Sequence, residues 1–354
     1  MSYLSIENLS INLGEFSLKS LNLELDQGDY AVIIGPTGSG KSILLECIIG
    51  FFKPDNGKIL LEGRNIVNDL PEKRGIGIVY QDYALLPHLT VFQNIAYGLR
   101  KVDKEIVKHK VKEMAASLKI DHLLNRKPDT LSGGEQQRTA LSRSLVVNPR
   151  LLLMDEPFSA LDPGTRREIR QLLCDVIDKT CTTVIHVTHD MKDLWVLADK
   201  TAVLRKGRII QFGKVRDIFE RPANKIVADF VGASFFEASV ESKTEHETCL
   251  KVDGFNILSR DDADVGENVQ IAVRPEEIML YDTPPEKING DNLFKIKVKN
   301  IKCEGELWAL NVNIGNTLLS VNSTRNMMAN LYPKPGDTLY ARIGTDRVRI
   351  VREA

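Results

Sequence analysis

Eight residues, Gly35-Pro36-Thr37-Gly38-Ser39-Gly40-Lys41-Ser42, constrain this chain more than any other stretch. They satisfy the pattern G-x-x-x-x-G-K-[ST] at every fixed position. Upstream, Tyr30-Ala31-Val32-Ile33-Ile34 is a short apolar, largely β-branched run that reads as a buried strand. Downstream, residues 43–49 read as a helix with Gly50 as its stop. Strand, glycine loop and helix form the setting in which such a loop grips phosphate. Glycines let the backbone turn tightly and approach an anion without a Cβ in the way. Successive N–H groups then converge on it, helped by the helix N-terminus behind them. In this reading Lys41 reaches the outer phosphates of a nucleotide and the Ser42 hydroxyl ligates Mg²⁺.

The length, 354 residues, predicts two or three domains. With 47 basic and 48 acidic residues, composition gives no reason to expect a nucleic-acid partner. Five scattered cysteines (Cys47, Cys174, Cys181, Cys249, Cys303) form no C-x-x-C. They argue against a disulfide framework or a zinc site and for a reducing cytoplasm. The N-terminus does not read as a signal peptide. No apolar run approaches the roughly 18 residues of a membrane span, so work at a membrane would need another chain to do the spanning.

In order, residues 3–9 and 16–25 alternate like strands of an antiparallel sheet. Residues 59–61 and 75–80 are further strands, the second delivering Gln81 at its end. From about 103 to 147 the period is helical, for example at Val107, Val111, Met114 and Leu118. Leu151–Met154 and Thr182–Val187 are continuous apolar strands suited to the middle of a sheet covered on both faces. These elements predict an α/β nucleotide-binding core with a helical subdomain at about 85–147. The pattern changes near 230–234, and 233–354 reads as a separate, small β-barrel domain. There Gly266–Arg274 repeats as Gly336–Gly344, and the register carries Ile278 onto Val348 and Leu280 onto Ile350. Leu250-Lys251-Val252 aligns with Leu310-Asn311-Val312 at a shorter offset, so the second copy holds extra residues, including 322–328. Two copies of a short-strand unit suggest an oligomer-binding-type barrel.

Several strand ends converge on the loop's crevice. Asp155 and Glu156 follow the strand 151–154; Asp155 suits Mg²⁺, through water, and Glu156 suits polarising a water for attack on a γ-phosphate. His189 ends the strand 184–188 and suits a γ-phosphate contact, whereas His186 inside that strand reads as core. Gln81 can ligate Mg²⁺ or the attacking water. It opens a loop, 82–88, whose apolar residues are followed by no obvious strand or helix; the loop reads either as packing or as a docking surface. Ser132-Gly133-Gly134 before a helix makes a second anion site, and two sites for one nucleotide suggest that the second serves a neighbouring subunit.

Taken together, residues 35–42, Gln81, Leu131–Arg138, 151–156, Ser159-Ala160-Leu161-Asp162 and His189 resemble the motif set of ATP-binding cassette (ABC) ATPases, in order, over residues 3–232. The resemblance implies a domain spanning 1–232, and a head-to-tail homodimer with two ATP molecules sandwiched between one subunit's phosphate loop and the other's Ser132, Gly133, Gly134 and Gln136. It also implies that Asp162 lies in the loop coupling the two sites, and that residues 81–94 receive a helix from a membrane permease. The protein would then sit at the cytoplasmic face of the membrane, working indirectly with a substrate-binding protein. Members usually stack adenine on an aromatic near position 13; here that residue is Leu13, and either Phe16 close by takes its place or the stacking is weaker. Such stacking contributes about 1–3 kcal/mol on nucleic-acid bases.

The C-terminal part resembles the regulatory domain of importer ATPases, through Arg274-Pro275-Glu276, and a molybdate-binding fold, through Ser323-Thr324-Arg325 and Lys334–Asp337. The N-terminal motifs also resemble those of molybdate/tungstate importers. Sulfate, iron(III) and polyamine importers share the architecture and stay open as alternatives, as do a soluble cassette protein and an anion sensor with a vestigial ATPase. A single phosphate loop, and the lack of sustained heptads over 43–150, speak against translation- and repair-type cassettes. Intact Lys41, Asp155, Glu156 and His189 speak against the vestigial reading. Hydroxyls and a guanidinium at Ser323, Thr324 and Arg325 suit a tetrahedral oxyanion, while the same residues also suit a surface loop capped by an arginine.

Overall fold

The computed structural model describes residues 2–285, 291–304 and 307–351. The chain divides into two compact units, Met1–Val215 and Arg216–Ala354. The division falls ahead of the 232/233 boundary expected from the change in pattern. The reason is packing: Ala228 and Val231 share a small apolar cluster with Ala233, Ala272 and Val351 of the second unit.

The first unit runs β1 (Leu4–Asn12), β2 (Ser17–Leu25), β3 (Tyr30–Ile34), α1 (Lys41–Ile49), β4 (Asn56–Leu61), β5 (Arg64–Asn65), α2 (Pro71–Arg74) and β6 (Ile76–Val79). It continues α3 (Val91–Ala96), α4 (Lys104–Ser117), α5 (Gly133–Leu145), β7 (Leu151–Asp155), α6 (Pro163–Thr180), β8 (Thr183–Val187), α7 (Met191–Leu197), β9 (Lys200–Arg205) and β10 (Arg208–Lys214). One sheet is antiparallel, in the order β2-β1-β4-β5; the other runs β10-β9-β3-β8-β7-β6. From β9 to β6 that second sheet is parallel. The carboxyl ends of β3, β6, β7 and β8 therefore open on one edge, where α/β folds bind ligands. β3 and β8 are buried along their whole length, as continuous apolar strands require. Helix α1 contributes Leu44, Leu45 and Ile48 to a core shared with Leu4, Leu23, Leu153 and Ile185, so it is held between both sheets.

One clamp ties the site's supports to this core. Arg74, 2% exposed, donates to the carbonyls of Cys47 (3.0 Å) and Ile48 (2.8 Å) at the end of α1, and to Asp69 O and Val67 O (both 3.0 Å). It thereby satisfies carbonyls that a helix end leaves without partners. Helix α3, which no periodicity made obvious after the 82–88 loop, lies inside the helical subdomain expected at about 85–147. Its start is a reciprocal capping box, Thr90 with Gln93, which offsets the cost of beginning a helix of only six residues.

The second unit runs α8 (Val215–Glu220), α9 (Lys225–Val231), β11 (Ser234–Lys243), β12 (Thr248–Val252), β13 (Phe255–Ser259), β14 (Asn268–Val273) and β15 (Met279–Tyr281). The second copy follows as β16 (Asp291–Glu304), β17 (Leu307–Ile314), β18 (Thr317–Thr324), α10 (Arg325–Leu331), β19 (Thr338–Gly344) and β20 (Arg349–Val351). Two five-stranded antiparallel sheets result, β13-β12-β11-β14-β20 and β15-β19-β16-β17-β18. They share one core that includes Val240, Leu250 and Ile271 with Val298, Val312 and Ala341, consistent with an oligomer-binding-type domain. The final strands are exchanged: β20 pairs with β14 of the first copy, and β15 with β19 of the second.

The repeat holds at its C-terminal strands but shifts in the hairpin. Val240 pairs with Leu250 just before a bulge, and Val298 pairs with Val312 just before a bulge. Leu250 therefore corresponds to Val312, two residues beyond the Leu310 expected from sequence. A slip of two leaves inward and outward residues unchanged, so the apolar pattern alone could not detect it. The extra residues of the second copy extend β18 and form α10.

Candidate active site

The loop after β3 needs its glycines for two separate reasons. Gly38 and Gly40 have φ of 76° and 105°, in the left-handed region. A Cβ on Gly35 would lie 2.1 Å from Leu204 O of β9, and one on Gly40 would lie 2.5 Å from Phe16 Cζ. Lys41 caps the loop from within: its Nζ donates to Gly35 O (2.9 Å) and Pro36 O (3.1 Å). Burial pushes its pKa down, opposed by the carboxylates of Glu156 and Asp155. Ser39 Oγ is buried, and among the described residues it has no hydrogen-bond partner.

Asp155 at the end of β7 is pushed up by burial, against a hydrogen bond from Ser42 and the charge of Lys41. The next residue, Glu156, takes φ of 43°, and its N–H bonds Val187 O of β8 at 2.9 Å. This turn swings the Glu156 carboxylate away from the strand, with Oε2 3.2 Å from Nδ1 of His189. The His189 ring remains 65% exposed. Phe16, Thr37, Gly38, Gly40, Lys41, Ser42, Gln81, Asp155 and Glu156 line one open cleft of about 470 Å³. Of the expected phosphate, metal and hydrolytic residues, Gly35, Pro36, Ser39 and His189 do not line it, His189 standing beside it through Glu156.

Ser132, Gly133, Gly134, Gln136 and Asp162 do not line it. Ser132 caps α5, and its N–H and hydroxyl both donate to Glu135 Oε2, at 2.7 and 2.9 Å. The Ser132 N–H chiefly holds the Glu135 pKa below its usual range. Gln136 Nε2 donates to Pro128 O at 2.9 Å, bracing the approach to the helix. Asp162 caps α6, its Oδ1 accepting from the N–H groups of Gly164 and Thr165, both at 3.0 Å. A Cβ on Gly134 would lie 2.6 Å from Thr165 Cγ2, which keeps α5 and α6 in close approach.

His186 is core, as its place inside a strand predicted. It is fully buried, 3.0 Å from the Tyr30 hydroxyl through Nδ1 and edge-on to Phe158. Burial pushes its pKa down to about 3.

Sequence reasoning missed the supports of the Gln81 loop. Tyr83 and Ala84 both have positive φ, 63° and 44°, and their carbonyls accept from Arg143 of α5 at 2.9 and 2.6 Å. Fully buried Asn94 bonds Leu86 N (2.8 Å) and the carbonyls of Leu86, Leu89 and Thr90. Tyr83 is itself buried, so the apolar surface of this loop is offered by half-buried Leu85 and Leu86. The Thr-x-x-Gln capping box was visible in sequence; the reach of Arg143 was not.

The parallel sheet, phosphate loop and converging strand ends define a P-loop nucleotide-binding domain. Residues 18–159 match the ABC transporter family. The chain is 41% identical to the molybdate/tungstate import ATP-binding protein of Pyrococcus horikoshii, over 98% of this chain and 99% of that one. It is 36% identical to the spermidine/putrescine import ATP-binding protein of Protochlamydia amoebophila, over 86% of this chain and 84% of that one. A solved ATP-binding cassette of an ABC transporter in its ADP conformation matches with TM-score 0.58 and 29% identity, over 65% of this chain and 98% of that one. The chain belongs to the ABC transporter family.

Proposed function

We propose that this protein is the ATP-hydrolysing subunit of an importer that takes up molybdate or tungstate. The observation that carries the hydrolytic reading is the convergence of Lys41, Ser42, Asp155, Glu156 and His189 on one edge of the parallel sheet. The identity along almost the full chain to a molybdate/tungstate import protein favours those anions over the polyamine alternative, where identity and coverage are lower.

In this reading the loop N–H groups and Lys41 bind the phosphates, and Phe16 packs against the base. Ser42, Gln81 and Asp155 would hold Mg²⁺; their hydroxyl, amide and carboxylate oxygens are the hard donors that ion takes. When bound, the ion neutralises phosphate charge. Glu156 accepts the proton of the attacking water, and His189, held against Glu156, contacts the γ-phosphate. Ser132, Gly133, Gly134 and Gln136, remote from the cleft of their own chain, complete the site of a second copy in a head-to-tail dimer, with Asp162 coupling the two sites. The Gln81–Asn94 segment receives a permease helix, and a substrate-binding protein delivers the anion from the far side. Among the described residues no helix is long and apolar enough to cross a membrane. In this reading the permease does the spanning and the subunit lies peripherally at the cytoplasmic face. A regulatory oxyanion binds near Ser323, Thr324 and Arg325; Thr324 and Arg325 are exposed where β18 passes into α10, and Ser323 is buried beside them.

The test is Glu156→Gln in the full chain. It keeps the side chain's shape but not its basicity, so it should bind ATP, accumulate as a dimer, and turn over about 10² to 10⁴-fold more slowly. Normal turnover would remove Glu156 from the chemistry. Reconstituted with its permease, the wild-type protein should import molybdate and tungstate in competition with each other. Uptake of spermidine instead would favour the polyamine reading. Calorimetry with molybdate, tungstate and sulfate, on wild type and Arg325→Ala, tests the C-terminal site.

A further inference from the structure

Behind His189 lies a group of charged side chains that the reading above leaves without a task. Two arginines of α6 face the turn that carries the histidine. Arg166 Nη1 is 2.7 Å from Asp190 Oδ2, and Arg170 Nη2 is 2.8 Å from the same oxygen. Arg170 Nε also pairs with Asp193, which is 2% exposed. On the other flank of His189, the Thr188 hydroxyl donates to Asp193 Oδ2 at 2.9 Å and accepts from the Asp190 N–H at 3.0 Å. Both neighbours of His189 are therefore pinned, while its own ring stays largely exposed.

Arg166 does one thing that Arg170 does not. Its second nitrogen, Nη2, reaches the carbonyls of Leu161 (3.1 Å) and Ser159 (3.4 Å). Those carbonyls belong to the segment that ends in Asp162, the cap of α6. One rigid, planar guanidinium thus touches two loops that come from different strands, β7 and β8. A lysine, with a single nitrogen, has no second arm to do the same.

We propose that Arg166 is a positioning residue for hydrolysis. It holds the His189 turn and the Ser159–Asp162 loop in one fixed relation, so that the γ-phosphate contact in one site is registered by the loop facing the other. This rests on the roles given above to His189 and Asp162. Arg170 makes the idea testable, because without Arg166 the Asp190 carboxylate keeps Arg170 and the N–H of Lys192 (2.8 Å) as partners. The turn should stay folded while its link to residues 159–161 is cut.

The experiment uses the full-length protein with Arg166→Met and Arg166→Lys. Arg166→Met should lower kcat about ten-fold while KM for ATP changes by less than about two-fold, the mark of a contact that matters in the transition state. Arg166→Lys should melt with the wild type, since it keeps the Asp190 pair, yet remain slow. Because Arg166 acts through His189, Arg166→Met combined with His189→Ala should be no slower than His189→Ala alone. Wild-type kcat in Arg166→Met, or losses that multiply in the double variant, would overturn the proposal while His189→Ala stayed impaired. If His189→Ala itself turned over normally, the reading of the nucleotide site would fail first, and this tie with it.

Discussion

His186 should make the first unit sensitive to acid in a way that can be calculated. In the folded protein burial keeps its ring neutral down to about pH 3, whereas in the unfolded chain it takes a proton near pH 6.5. Nδ1 and the Tyr30 hydroxyl share one hydrogen bond of 3.0 Å, and Nε2 lies 3.9 Å from the Asp193 carboxylate. Between the two pKa values the unfolded state binds more protons than the folded one. The histidine's contribution is therefore fully present above pH 6.5 and lost progressively as pH falls toward 3. At pH 5 the unfolded ring has gained about 1.5 pKa units of protonation free energy, which at 1.36 kcal/mol per unit is a loss of about 2 kcal/mol. The assay is urea unfolding at pH 8, 6 and 5 in a Trp308→Phe background, where Trp195 is the remaining tryptophan and reports on the first unit. His186→Gln keeps an acceptor for Tyr30 but does not titrate. It should be the less stable protein at pH 8 and should lose about 2 kcal/mol less than the parent between pH 8 and pH 5. Equal losses in the two proteins would refute the reasoning and move the acid sensitivity to other groups.

Other expectations concern the supports. Arg74→Met should destabilise the first unit by about 3 kcal/mol, since four carbonyls lose a charged donor at once; a loss under about 1 kcal/mol in the same urea assay would show that water replaces it. Gly40→Ala forces a Cβ into the Phe16 ring at a left-handed φ and should weaken ATP binding about ten-fold or more by calorimetry; unchanged affinity would show that Phe16 moves freely. Leu86→Asp should abolish permease co-purification while leaving ATP binding intact, and a variant that still assembles would leave the loop a packing element.

Much of the first unit was legible because its signals are local. The phosphate loop is contiguous, and β3, β7 and β8 announce themselves as short apolar runs closed by a glycine or a polar residue. Asp155, Glu156 and His189 could be placed because a strand end fixes direction as well as position. What escaped depended on distance in space. Arg74 and Arg143 act on carbonyls, which have no identity in sequence, so nothing marks an arginine as a clamp until the chain is folded. Helix α3 was missed although Thr90 and Gln93 spell its cap, because six residues carry too little periodicity to register. In the second unit the apolar alternation located the strands but was blind to the two-residue slip at Leu250 and to the exchange of β15 and β20. Both leave every inward residue facing inward.

That exchange has a consequence for how the second unit folds. Each copy, 234–281 or 291–351, lends its last strand to the other's sheet, so neither holds a complete sheet of its own. Because both copies lie in one chain, their pairing is a tethered event at an effective concentration of order millimolar rather than a bimolecular encounter. The same arrangement leaves one edge of the first sheet to be closed late. The β14–β20 pairing joins residues about eighty apart in the chain, Ala272 with Arg349 for one, so the edge of the first sheet is completed only by the last strand, and long-range pairing of this kind is slow to form.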